Sequence, residues 1–258
     1  MCLILIAVQQ HPVYKLVIAA NRDEYYERPT RRARFWKETP EMLAGRDLRS
    51  GGTWLGITTS ARFAAVTNYR DPASRKAKAP SRGNLVARFL LGGERPEQYL
   101  DSLRPRAAEY NGFNLIVGEG ERLFCYSNRG NAVRFLNPGF HGVSNHLLNS
   151  PWPKVTRGLE GFKSLLKQSR PDPAHFFELL KDRTIAPDED LPDTGVGMEW
   201  ERILSPIFIT SPVYGTRSST LLFIDRTDRV TFLEKVHDAP SSGPDIRRYE
   251  FSIKGLSR

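Results

Sequence analysis

The sequence predicts an α+β protein in which two mainly antiparallel sheets pack with helices between or outside them. Three observations carry this. Short apolar or alternating segments recur along the whole chain, most of them separated by Gly, Asn, Asp or Pro. Segments with helical periodicity are fewer and interrupt the strands rather than alternate with them. The 258 residues show no internal repeat, low-complexity tract or linker, so residues 1–258 are expected to form one domain.

Taken in order, residues 3–8 and 14–20 form strands around a Gln9-Gln10-His11-Pro12 turn. Residues 53–58 and 62–67 follow as a second pair, and 113–118, 122–127 and 131–136 as a third group. The last strands are expected at 206–210, 219–224 and 230–236. A helix is expected from Asn84 to Leu90, with Ser81 as its N-cap, and a shorter one from Glu97 to Leu103. Val155, Leu159, Phe162 and Leu166 share one face of a helix that Pro151-Trp152-Pro153 introduces. His175–Leu180 forms another after Pro171-Asp172-Pro173. The acidic, Pro/Gly-containing stretch 181–200 reads as a long surface loop able to act as a lid.

Composition narrows the function. No apolar run approaches the roughly 20 residues of a membrane-spanning helix, and the opening run lacks the basic flank of a secretory signal. Two cysteines, Cys2 and Cys125, provide neither a disulfide framework nor metal-ligand spacing, so a reducing cytoplasm is the expected location and no metal is expected. The net charge of +9 raises nucleic-acid binding, but the basic residues are dispersed and no nucleic-acid motif accompanies them. The clusters Arg28–Arg34 and Arg75–Lys78 therefore read as solvated loops, with the positive surface suited to steering a small anion.

Cys2 is the chemical centre. Removal of Met1 would leave a residue carrying both a thiol and a free α-amine, a nucleophile with its own general base. With the turn centred near His11, Cys2 lies opposite about Ala20, so Asn21-Arg22-Asp23-Glu24 leave the sheet at the edge where the thiol would sit. Asp23 is placed to orient the amine, and Arg22 to favour a thiolate or hold a carboxylate. Asn68, at the end of the strand that follows Gly51-Gly52-Thr53-Trp54-Leu55-Gly56, and Asn114 offer amide donors for an oxyanion, or serve as turn and cap residues. Cys125, inside a strand, reads as a small core residue.

Met1-Cys2 before an apolar strand, Ala20-Asn21-Arg22-Asp23-Glu24, Gly51–Gly56, Thr67-Asn68-Tyr69-Arg70, Ser81-Arg82-Gly83, Asn111–Leu115, Ser144-Asn145 with Pro151–Val155, and Tyr214–Thr220 occur in one order along nearly the whole chain. In this the sequence resembles the NRDE family, also called the Transport and Golgi Organization protein 2 family. The resemblance implies an N-terminal nucleophile (Ntn) hydrolase-like fold, a four-layer αββα sandwich. It implies Cys2 as nucleophile, Asp23 beside its amine, Asn68 and Asn114 at the oxyanion or substrate, and Arg217 as a distal charge. Asn21, Arg22, Trp54 and Arg217 are the expected substrate contacts. The acylases of this fold carry an arginine three residues before their aspartate, where this chain has Ala20.

The leading expectation is a cysteine hydrolase of a linear amide or related acyl bond, needing no cofactor. The alternative, which the family's association with lipid and haem homeostasis implies, is a carrier of haem or an acyl-CoA-like anion in the same cleft. The five histidines are scattered and read as surface or structural residues, and there is no Cys-x-x-Cys-His motif.

Overall fold

The apolar runs of the first hairpin are continuous rather than alternating because both faces of its sheet are covered. In β1 (Cys2–Val8), Leu3, Leu5 and Ala7 pack toward α3 (Pro153–Leu165) and α4 (Pro173–Leu179), while Ile4, Ile6 and Val8 pack toward a second sheet. The computed structural model describes residues 2–237 and 246–254; the Cys2 side chain and Met1 lie outside the described residues.

The first sheet has the order β10-β1-β2-β11-β12-β13, with β2 (Tyr14–Tyr25), β10 (Gly139–Val143), β11 (Tyr214–Asp225), β12 (Arg229–Val236) and β13 (Ile246–Ser252). The second runs β3-β4-β5-β6-β7-β8-β9. Its strands are β3 (Thr30–Trp36), β4 (Thr39–Asp47), β5 (Leu55–Thr58), β6 (Arg62–Asn68), β7 (Phe113–Glu119), β8 (Arg122–Ser127) and β9 (Ala132–Phe135). Every strand pairing within the two sheets is antiparallel. Phe63 and Ala65 of β6 face the first sheet, whereas Ala64 and Val66 face α1 (Gly83–Leu91) and α2 (Pro96–Leu103). Three apolar seams thus separate four layers, αββα, with the central seam between the sheets.

The structure corrects several sequence expectations. Partners across the first hairpin sum to 24, which centres the register on Pro12, so Cys2 pairs with Arg22 and Ile4 with Ala20. Gln9 adopts a φ of 54°, and its N–H closes the loop on the Lys15 carbonyl at 2.8 Å. β2 does not stop at Ala20. It continues through Tyr25 because β11 pairs with it as far as Tyr214↔Tyr25, so Asn21–Glu24 are strand residues rather than an emerging loop. The basic cluster expected to be a loop supplies most of β3, a strand whose apolar positions Ala33, Phe35 and Trp36 are interleaved with arginines. Residues 206–210 are not a strand, although an isolated bridge joins Thr210 to Gly215. The 181–200 loop contains a 3-10 turn at Asp188–Asp190 and leads into α5 (Met198–Leu204). Ser81 does not cap α1; Arg82 occupies the N-cap without a side-chain hydrogen bond.

Among the described residues, no helix is long and apolar enough to cross a membrane.

Candidate active site

The alternation of β2 sends successive polar residues to different places. Asn21 is buried toward the helical layer. Its amide donates to the carbonyls of Leu180 and Ile207 at 2.8 and 2.9 Å, and its oxygen accepts from Ser219 at 2.6 Å. These bonds use its whole hydrogen-bonding capacity apart from one lone pair, so Asn21 fastens a layer and does not line the cleft beside Arg22 and Asp23. Arg22, opposite Cys2, stacks over the Trp54 ring at 4.3 Å, with Glu24 3.8 Å from its guanidinium. Trp54 occupies this position because Gly45 has no side chain; a Cβ there would lie 2.2 Å from the indole.

Asp23 is also buried. Thr216 donates to its Oδ1 at 2.7 Å, and the Tyr214 hydroxyl donates to its backbone carbonyl at 3.1 Å. Burial pushes the Asp23 carboxyl above its ordinary range, against the opposing pull of Lys154, Thr216 and Arg22. Lys154 comes from the first turn of α3 and is itself 2% exposed. A lysine buried to this degree calls for an anion to meet it, and Asp23 is within its electrostatic reach. The lysine stands in the Pro-Trp-Pro-Lys motif, one residue before the Val155-Leu159-Phe162-Leu166 face and off its centre, so helical spacing does not mark it as inward.

Next to these groups opens a cleft of about 320 Å³, lined by Arg22, Asp23, Trp54, Val66, Asn68 and the loop leading into α1. It continues into an outer chamber of about 530 Å³, with Asn68, Glu24, Arg28, Arg49 and Arg82 shared between the two. The Asn68 carbonyl accepts from Asn145 at 3.0 Å, while its side-chain amide makes no hydrogen bond among the described residues and remains available to the cleft. Arg28 is fixed on Asp47 by bonds of 2.6 and 3.0 Å. Although burial opposes it, this contact holds the Asp47 carboxyl below its usual range. Arg82 reaches the Gly112 carbonyl at 2.9 Å, and Arg49 pairs with Glu27 at 3.5 Å. The rim is thus arginine-rich, with the floor formed by the Trp54 indole and Val66.

Two other expected site residues stand apart. Asn114 donates to Thr67 Oγ1 at 3.0 Å and to the His146 carbonyl at 2.8 Å, so both amide protons are committed and none faces an oxyanion. It joins β7 to the segment after β10 and does not line the cleft. Arg217 is the extra residue of a bulge between Thr216 and Ser218 and donates to the carbonyls of Tyr25 and Arg28 at 2.9 and 2.8 Å. It lines a smaller cavity behind Arg22 rather than the main cleft. Among the described residues, no cluster of three or more His, Cys, Asp or Glu could hold a metal ion.

A family model described as Transport and Golgi organisation 2 matches residues 1–239. The chain belongs to this family. Its relatives in the Transport and Golgi organisation 2 family include the mouse homolog, 34% identical over 98% of this chain and 100% of that protein. The bovine homolog is 37% identical over 97% of this chain and 96% of its own length. Among solved structures, a mutant of the conjugated bile acid hydrolase from Clostridium perfringens is similar at a TM-score of 0.51, covering 98% of this chain and 97% of that one at 9% identity. A second variant of the same hydrolase matches equally, at a TM-score of 0.51 and 9% identity over 98% of each chain. This member of the family therefore has an Ntn-hydrolase-like fold.

Proposed function

We propose that the protein is a cysteine hydrolase of a linear amide or related acyl bond, with Cys2 as nucleophile once Met1 is removed. The observation that carries this is the start of β1. Position 2 is held in register opposite Arg22, and Arg22 and the adjacent buried Asp23 line the cleft in which the Asn68 amide is uncommitted. A frayed terminus would make an α-amine useless as a base, whereas a first residue paired in register with β2, two residues before β10 joins the other side of β1 at Ile4, has a defined position. The fold it shares with a conjugated bile acid hydrolase, whose name describes cleavage of a conjugate, agrees with this chemistry.

In this reading the Cys2 α-amine takes the thiol proton and the sulfur attacks the substrate carbonyl carbon. The carbonyl π pair moves to oxygen, where Asn68 donates a hydrogen bond. Asp23, with Oδ1 fixed by Thr216, orients the amine, which returns its proton to the leaving nitrogen as the C–N bond breaks. Water then attacks the Cys2 thioester, releasing the acid and restoring the thiol. The arginine rim selects a substrate with an anionic part, and the Trp54–Val66 floor an apolar one. A free thiol of this kind suits a reducing cytoplasm, with residues 1–258 acting as one unit.

A second reading has one observation in its favour. Arg28, Arg49, Arg75 and Arg82 around the two chambers suit a large anionic cargo, such as haem or an acyl-CoA-like lipid, carried without turnover. Intact mass of the purified chain, followed by incubation with N-acyl amino acid probes and a search for acyl-Cys2, decides between the two. Hydrolysis expects a chain lacking Met1 and an acyl adduct that disappears in Cys2→Ala. A chain that retains Met1, or one that binds haem equally well in Cys2→Ala and never acylates, refutes catalysis.

A further inference from the structure

Behind the Arg22–Trp54 stack lies a separate cavity of about 170 Å³, between β3, β11 and β12. Arg22 and Trp54 form its front wall and also line the main cleft, so the stacked pair is the partition between the two spaces. Four arginines border it: Arg22, Arg31, Arg32 and Arg217. Arg217 is occupied with backbone carbonyls, but Arg32 makes no hydrogen bond or ion pair among the described residues. Ser218 lines the same cavity, is 5% exposed, and its hydroxyl has no hydrogen-bond partner among the described residues. A buried hydroxyl without a partner loses about 1–3 kcal/mol of hydration, a cost that a bound acceptor would remove. The remaining lining is Thr30, the Glu234 carboxyl and an apolar part from Val236 and the indole of Trp54.

We propose that this cavity is a binding site for a short-chain organic carboxylate, held by Arg32, Arg22 and the Ser218 hydroxyl with its alkyl stem on Val236 and Trp54. The size agrees: 170 Å³ is the space of about six liquid waters, enough for a carboxylate with a two- or three-carbon stem and too small for a lipid or a macrocycle. A guanidinium presents paired donors that fit a carboxylate edge on. Glu234 borders the cavity, and its surroundings set the pH response. Its carboxyl accepts from the Ala33 N–H at 2.6 Å, and Arg32, Arg22 and Arg247 approach from β3, β2 and β13, with Arg31 and Arg217 on the remaining sides. Burial pushes it up to about 7 despite those cations, so it is neutral at mildly acidic pH and adds repulsion only when ionised. The site stands independently of the hydrolase reading, because nothing in it requires turnover at Cys2. Through the Arg22–Trp54 partition, its occupant would report directly on the main cleft.

The test is titration of the full chain with sodium propionate against sodium chloride of equal ionic strength, following tryptophan emission and melting temperature at pH 6 and pH 8. Propionate is expected to give a saturable change in both, with tighter binding at pH 6. Arg32→Gln and Ser218→Ala should each weaken it about tenfold, the loss of one hydrogen bond to a charged group. Ser218→Ala removes no bond within the described protein, so its fold should persist, and Arg49→Gln in the main cleft should leave propionate affinity unchanged. Three results overturn the proposal: a response that chloride reproduces, one indifferent to both Arg32→Gln and Ser218→Ala, or one that Arg49→Gln abolishes. Inorganic phosphate binding more tightly than propionate through the same residues would overturn the carboxylate assignment.

Discussion

Glu234→Gln gives the sharpest physical test of how the two sheets are joined. Glu234 stands on β12 of the first sheet and accepts the Ala33 N–H of β3 in the second, at 2.6 Å and 2% exposure. Its carboxyl titrates near 7 when folded, against an ordinary value of 4.5, because desolvation outweighs the Ala33 bond and the nearby arginines. The native state therefore holds this proton more tightly than the unfolded chain does. Below about pH 4.5 the group is neutral in both states and its contribution is fully present; stability is lost as pH rises toward 7, and levels off above it. The interval from 4.5 to about 7 corresponds to about 3 kcal/mol. Glutamine keeps an oxygen for Ala33 and cannot ionise, so the substitution deletes the pH-dependent part alone. Urea unfolding of both proteins at pH 5 and pH 8 should show the variant gaining about 2.5 kcal/mol relative to wild type on going to the higher pH, the rest of the interval being lost already below pH 5. Taking the difference cancels the other carboxylates. A difference between the two proteins that does not change with pH would refute the reasoning.

Three further outcomes follow from the same geometry. Gly45→Ala places a methyl 2.2 Å from the Trp54 ring, so the indole must move, at a cost of about 1–3 kcal/mol and with a shift in tryptophan emission as the Arg22 stack is lost. Arg70→Met leaves the Glu201 carboxylate buried with only Thr194 as partner among the described residues and should cost about 3–5 kcal/mol in chemical denaturation, most of it recovered when Glu201 is also made Leu. Cys125, whose thiol burial pushes up to about 12, should resist iodoacetamide at pH 8 in the folded protein and react at once in urea, read by peptide mass.

The architecture was legible wherever periodicity was set by burial. The continuous runs of β1 and the first part of β2, and the i, i+3, i+4 pattern of α3, gave elements within a residue or two of the observed ones at most ends. β3 and β13 were missed for the opposite reason. They carry arginines at their exposed positions, so the apolar alternation is hidden under charge, and their partner strands rather than their composition make them strands. The register of the first hairpin was off by two residues in the sum of partners, because turn length depends on a positive φ at Gln9 that no glycine announces.

The candidate site was legible as a set of residue types and less so as directions. Arg22, Asp23, Trp54 and Asn68 do converge on one cleft. Asn21, an expected substrate contact, and Asn114, an expected oxyanion donor, each have their donors bound to buried carbonyls or a hydroxyl from another segment. Those partners are as much as 186 residues away along the chain, at a distance where local patterning carries no information. Lys154 and Glu234 escaped notice because a charged residue in an amphipathic element ordinarily marks the solvent face, and here the fold turns both inward.

β2 also has a consequence for how strain would spread. On adjacent residues it ties the helical layer, through Asn21 to the carbonyls of Leu180 and Ile207, and supports the partition of the cleft, through Arg22 on Trp54. A strand cannot slide by half its repeat, so the two attachments rise or fall together. The helical layer is thus a gauge fixed to the same ruler as the reactive end of β1: a substitution at the end of α4, far along the chain from Cys2, acts on the spacing of the site through one strand and without any contact of its own.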